Sequence, residues 1–338
     1  MLKRYMHNRE KYHAFKTDNR IVRDFDWGTE FAAGNGGNPH DFFTKYTKDV
    51  LTNSDEFFSL PTNIEYTTSD SGLGTLDLTW TSAIETPSAE NNKVVAKFFP
   101  VNNKRTAVVV LPHWNAPAES YFGLCELFNK RGISALRLTL PYHESRMPPE
   151  LERADYLVAP NVGQTLQSVR QAVLDTKAAV RWLKNEGYER VGIVGTSIGS
   201  CVAFLAFTHD KTIEAGVFNH VSGYVADVVW QGLSTYHVRE SIEKVVSLND
   251  LREFWRPISP MGHVARLKDD SRPQHYIYTL YDLTFPIDLS RETVKEIKRV
   301  STTASSSWIP CGHYTLGESP WKYIDGWKIT SFLKKNLR

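Results

Sequence analysis

The sequence is poor in cysteine: Cys125, Cys201 and Cys311 are the three in 338 residues. The number is odd and no C-x-x-C pair occurs, so neither a disulfide framework nor a structural zinc site is indicated. Reduced thiols fit a cytoplasm. An excess of one charge is missing too, with 40 Lys+Arg against 38 Asp+Glu and a net of +2. Nucleic-acid binders usually carry a basic excess or stripe, so no such partner is expected. No apolar run approaches the roughly 18–20 residues of a membrane span. Met1 to Arg20 is polar and lacks the apolar segment of a secretory signal. A soluble cytoplasmic chain is the expectation, with oligomeric state left open.

Other motifs are absent as well. Gly192, Gly195 and Gly199 do not fit G-x-G-x-x-G, and there is no Walker loop, H-E-x-x-H or EF-hand pattern. No metal and no organic cofactor is implied. What is present is an ordinary globular composition, 41% hydrophobic and 23% charged, in a chain long enough for one large α/β domain with insertions. Residues 1–60 are rich in Asn, Asp, Lys and aromatics, with a loop at Gly34–Asn38, and read as an N-terminal arm packed on the main domain.

Residues 61–338 read as that domain. Ile64–Thr68, Thr75–Thr81 and Lys93–Phe99 alternate and predict an antiparallel edge. Thr106–Leu111 is a continuous apolar run, as suits a strand buried on both faces. Strands then alternate with helices: Glu119–Arg131, Ser134–Leu140, 162–186, Val191–Val194, Ile198–Phe207, Ala215–His220, Tyr276–Leu280, Leu289–Arg299 and Trp321–Lys335. That order predicts a mostly parallel sheet with helices on both faces. Two long insertions, about 141–161 and 222–272, interrupt it.

Gly195-Thr196-Ser197-Ile198-Gly199 fits G-x-S-x-G between a buried strand and an apolar helix. A serine on a sharp strand-to-helix turn needs small neighbours two before and two after. The helix that follows favours negative charge at its N-terminus. On this motif and context the sequence resembles the α/β-hydrolase superfamily over about residues 63–338.

The resemblance implies a Ser, Asp, His chain order. His313, in Pro310-Cys311-Gly312-His313-Tyr314, resembles the Gly-His loop that carries the base. Asp282, after the strand Tyr276–Leu280 and four before Pro286, matches the acid, with Asp227 as fallback. The oxyanion donors would be the backbone N–H of Ile198 and, counting from His113 in the loop Pro112-His113-Trp114-Asn115, that of Asn115, with Trp114 its neighbour. Trp114 stands where the family often has glycine. His113 itself reads as a structural histidine bonding the loop. His143 and Arg146 are candidates for an anionic substrate group, although loop packing and a surface ion pair are the favoured reading. Aromatics of the second insertion, Trp230 among them, suggest an apolar acyl or aromatic group. Cys201 reads as a buried small side chain.

These readings converge on a carboxylesterase-like serine hydrolase that cleaves a carboxylic ester or related acyl bond of a small-molecule or lipid-like substrate through an acyl-enzyme. A thioesterase, peptidase, acyltransferase or carbon–carbon hydrolase on the same fold is the alternative, as is a silent fold used for binding.

Overall fold

The computed structural model describes residues 2–34 and 36–338. Met1, and Asn35 within the expected Gly34–Asn38 loop, lie outside the described residues. Among the described residues, one nine-stranded sheet is formed by β1 (Thr67–Asp70), β2 (Leu76–Thr81), β3 (Lys93–Phe99), β4 (Thr106–Leu111), β5 (Ser134–Leu138), β6 (Arg190–Thr196), β7 (Ile213–Asn219), β8 (Gln274–Thr279) and β9 (Ala304–Ile309). Their order is β1-β2-β3-β5-β4-β6-β7-β8-β9. β1, β2, β3 and β5 pair antiparallel, and every pairing from β5 through β4 to β9 is parallel.

Helices cover this sheet. α1 (Leu2–Phe15), α2 (Pro39–Thr52) and α3 (Ser54–Phe57) precede it. α4 (Phe122–Asn129), α5 (Val162–Asn185) and α6 (Ile198–His209) join β4, β5, β6 and β7 in turn. α7 (Val225–Gln231), α8 (Tyr236–Ile242) and α9 (Leu248–Phe254) occupy the segment before β8. α10 (Ile287–Val300) links β8 to β9, and α11 (Trp321–Asn336) follows β9. None of the described helices is long and apolar enough to cross a membrane.

The continuous apolar run of β4 has the burial it predicts. Ala107, Val109 and Leu111 enter one hydrophobic cluster, while Val108 and Val110 enter the cluster on the other face. Each fully buried Val or Leu contributes about 1.5–3 kcal/mol relative to exposure. α5 is capped by Asn161, whose side-chain oxygen accepts from the Gln164 N–H at 2.8 Å.

β4 is where the winding reverses. The chain leaves it for β5 on one side and returns to β6 on the other. In open parallel sheets, ligand crevices lie at the carboxyl ends of strands flanking such a point. The loop at Trp114 and the turn at Ser197 both sit there.

The arm packs on the sheet layers. α1 buries Met6, Glu10 and Ala14, one helical turn apart. α2 places Phe43 against Trp27 and against Phe254 of α9. The serine-rich stretch 301–307, which lies outside every strand expected from sequence, supplies most of the edge strand β9. Its side chains are half-exposed, so no apolar alternation marks it. His275 of β8 bonds the hydroxyls of Ser305 and Ser307 across the pair. The first strand, expected at Ile64–Thr68, is displaced to the fully exposed Thr67–Asp70.

Candidate active site

Ser197 links β6 to α6 at φ 59°, ψ −125°, a conformation sparsely populated for a residue with a side chain. The glycines explain how the turn closes. A Cβ on Gly195 would lie 2.0 Å from the Gly199 carbonyl oxygen. A Cβ on Gly199 would lie 2.4 Å from the carbonyl oxygen of Pro112. The Ser197 N–H donates to the carbonyl of Asn219, at the end of β7, at 2.9 Å.

Asp282 follows β8 and is buried. Its Oδ1 accepts from the N–H groups of Thr284 (2.8 Å) and Phe285 (2.7 Å). Its Oδ2 accepts from Nδ1 of His313 (3.0 Å), Nδ1 of His220 (2.9 Å) and the Thr279 hydroxyl (3.1 Å). Burial opposes the charge, but His313 and the hydrogen bonds outweigh it and hold this carboxyl well below the usual range. For His313 burial again opposes the charged form, and the Asp282 carboxylate wins, raising its pKa. Phe285 stacks on the His313 ring, 5.3 Å between centroids and 11° between planes.

Ser197, Ile198, Trp114, His220, Phe285 and His313 line one cavity of about 1000 Å³. No hydrogen bond joins the Ser197 hydroxyl to His313 in this structure; in unliganded sites such bonds are often long and tighten with substrate. The structure therefore brings together the three residues singled out from sequence. It adds His220, which sequence reasoning passed over. The available signal was its place at the carboxyl end of a parallel strand.

The loop after β4 departs from expectation. The Asn115 N–H donates to His143 Nε2 at 2.8 Å, so it is already committed and is not the free donor expected. His143 Nδ1 bonds the Pro141 carbonyl at 2.8 Å, and burial pushes this imidazole down to about 4. His143 is thus a neutral buried clamp, not a ligand for a substrate anion, and it holds Asn115 at φ 58°. The Asn115 side chain and the Trp114 indole both bond Ala154 at 2.8 Å. Among the described residues, the backbone N–H groups of Trp114 and Ile198 meet no acceptor.

Four other expectations are corrected. Arg146 is fully enclosed, bonding Asp175 at 2.9 Å and the Asn91 and Thr139 carbonyls, so it faces no substrate. Trp230 does not line the cavity; the Arg239 guanidinium covers its ring. The fallback acid Asp227 bonds Arg252 at 2.7 Å. His113 bonds the Tyr121 hydroxyl at 2.8 Å rather than loop backbone, and burial pushes it down to about 3. Cys201 is buried as expected, its thiol pushed up to about 12.

His220, Asp282 and His313 are also the one group among the described residues whose ligand atoms lie close enough to hold a metal, all within 4.8 Å. Asp282 already spends both oxygens on five donors. An ion bound there would have to displace the bonds that define the site.

No protein-family model matches the chain, and no curated protein is a significant match. Solved structures do match. An esterase of Pyrococcus furiosus, Pf2001, superposes with a TM-score of 0.54 at 19% identity, covering 81% of this chain and 94% of its own. A cold-adapted esterase from an Arctic intertidal metagenomic library gives 0.52 at 15% identity, over 83% of this chain and all of its own. An acylaminoacyl peptidase of Pyrococcus horikoshii gives 0.59 at 14% identity, over 81% of this chain but 42% of the peptidase. Identities this low speak to architecture. With a mostly parallel sheet wound about β4 and a serine at the strand-to-helix turn after β6, this chain has the α/β-hydrolase fold.

Proposed function

We propose that the chain is a serine hydrolase that cleaves carboxylic esters through Ser197, His313 and Asp282. The supporting observation is one cavity lined by a serine on a strained elbow, an imidazole bonded to a buried carboxylate, and two residues with free backbone N–H groups. His313 gives its Nδ1 proton to the Asp282 bond, which leaves Nε2 as the base. Nε2 takes the Ser197 proton as Oγ forms a bond to the ester carbonyl carbon. The oxyanion rests on the N–H groups of Ile198, at the N-terminus of α6, and of Trp114, in the loop after β4. Collapse expels the alcohol, which takes the proton back from His313. Water then repeats the sequence on the acyl-enzyme and releases the acid.

Val158, Val225, Val228 and Val229 contribute an apolar wall to the cavity. That favours a lipid-like or aromatic acyl group. The three cysteines are free and buried, which fits a cytoplasmic setting.

The test is labelling by a fluorophosphonate probe with wild type beside Ser197→Ala. p-Nitrophenyl esters of increasing chain length serve as substrates. Labelling is expected to vanish in the variant and turnover to fall by about 10⁴-fold or more. Equal labelling or equal turnover in Ser197→Ala overturns the reading.

A further inference from the structure

The mechanism makes no use of a carboxylate that the N-terminal helix delivers to the histidine loop. Glu10 of α1 is 0% exposed. Its Oε2 accepts from the Tyr314 N–H at 3.1 Å. Its Oε1 accepts from the Thr315 N–H at 2.9 Å and the Thr315 hydroxyl at 3.0 Å. That hydroxyl in turn accepts from the Gly312 N–H at 2.8 Å. The N–H groups on both sides of His313 are therefore tied, directly or through Thr315, to one carboxylate.

Two features separate this from ordinary docking of an arm. The carboxylate lies flat against the loop: a Cβ on Gly312 would fall 2.2 Å from Glu10 Cδ. And no cation pairs with Glu10 among the described residues. Arg9 and His13, its helix neighbours, bond Glu318 instead. Burial, with the nearby Asp282, pushes the Glu10 carboxyl up, while the Thr315 and Tyr314 N–H groups work the other way; all three of its contacts come from donors, the pattern of a carboxylate. A buried anion held only by backbone and hydroxyl donors projects its charge onto what lies behind them.

We infer that Glu10 is a positioning residue for His313, holding the Gly312–Thr315 loop so that the imidazole bridges Ser197 and Asp282, and lending its charge to the imidazolium. The inference rests on the Ser197–His313–Asp282 reading and extends it to the N-terminal arm. The groups facing His313 are few. Asp282 after β8 and Glu10 on α1 are the anions. His220 after β7 and His113 after β4 are imidazoles that burial pushes down. Cys311 precedes the loop with its thiol pushed up by burial. Arg20, on the other side, bonds the Tyr314 hydroxyl at 3.2 Å. After burial and Asp282, the charge of Glu10 is the remaining cause of the raised His313 pKa.

The test follows the His313 side-chain nitrogens by NMR through a pH titration of the full chain, beside kcat, KM and the melting temperature at each pH. Glu10→Gln keeps the size, removes the charge and turns one of the two accepting oxygens into a donor. Its His313 is expected to titrate at lower pH, the acid limb of kcat to move with it, and kcat to fall about tenfold with KM little changed. Glu10→Asp keeps the charge but shortens the reach, so its limb stays and kcat falls. Arg9→Ala loosens the same helix elsewhere and should lower only the melting temperature. An unmoved His313 titration in Glu10→Gln overturns the inference, as does an equal movement in Arg9→Ala. A moved titration in a chain that hydrolyses no ester supports the positioning and removes the esterase reading instead.

Discussion

The turn after β6 and the turn after β9 deliver side chains to the same cavity, the first shaped by its neighbours in sequence, the second by partners as far as 305 residues away. Around Ser197 the geometry follows from Gly195 and Gly199 and from the loop end of β4. Around His313 it follows from Glu10, Asp282 and Thr315. A turn built locally writes its geometry into a five-residue pattern. A turn built from afar writes only a flexible glycine beside a histidine.

The two turns should break differently. Gly199→Ala places a methyl group 2.4 Å from the Pro112 carbonyl and 2.7 Å from that of Leu111, backbone atoms at the end of a central strand that cannot withdraw. We expect the largest effect here: fluorophosphonate labelling lost and stability lowered by about 3 kcal/mol or more. The atoms nearest a methyl group in Gly312→Ala belong to the Glu10 side chain, which can shift more readily than backbone. That variant's loss in melting temperature should be the smaller of the two. Thermal melts of both variants with the labelling assay decide it, and an equal cost would show that the elbow is not the more rigid turn.

The same contrast sets what could be read from the chain before folding. β3 and β4 lie at the bounds expected because their alternation or continuous burial is a local property. β9 escaped because an edge strand bonded through serine hydroxyls needs no apolar face. Asn115 was assigned the oxyanion donor from its spacing to His113, but His143, 28 residues on, turns that N–H away. His220 and Glu10 carry no motif. Each matters through Asp282 or Thr315, and those contacts exist only once the sheet is assembled.

His220 sharpens the comparison from inside the histidine's own network. It shares Asp282 Oδ2 with His313, the two rings 4.3 Å apart. Burial and the neighbouring His313 lower its pKa, so it stays neutral and donates to the carboxylate. Removing that donor concentrates the Asp282 charge on its bond to His313. In His220→Ala the His313 pKa should rise further and the acid limb of kcat should move to higher pH, opposite to Glu10→Gln. The loss in kcat should be about tenfold, about 1.4 kcal/mol in the barrier. His220→Asn tolerates the left-handed backbone at φ 56° and keeps an N–H to donate, so it should recover most of both. A pH–rate profile that shifts the same way in His220→Ala and Glu10→Gln would sink this account.

The smallest effect concerns a further long-range thread that reaches the elbow. The Asn219 carbonyl holds the Ser197 N–H, and the Asn219 side chain donates to Asp325 Oδ2 of α11 at 2.9 Å. Among the described residues Asp325 has that single donor, and its Oδ1 is buried without a partner. Asp282 has five. The difference inverts their titration: burial dominates at Asp325 and pushes its pKa up to about 7. Between about pH 4 and 7 the folded chain then holds a proton that the unfolded chain has lost, so stability falls as pH rises through that window. Asp325→Asn keeps an acceptor for Asn219 and removes the charge. Its melting temperature should exceed that of wild type by a few degrees at pH 8 and match it near pH 4, with turnover little changed. Should turnover fall along with the gain in stability, the elbow would depend on α11 through Asn219, and the serine turn would be less self-contained than its glycines suggest.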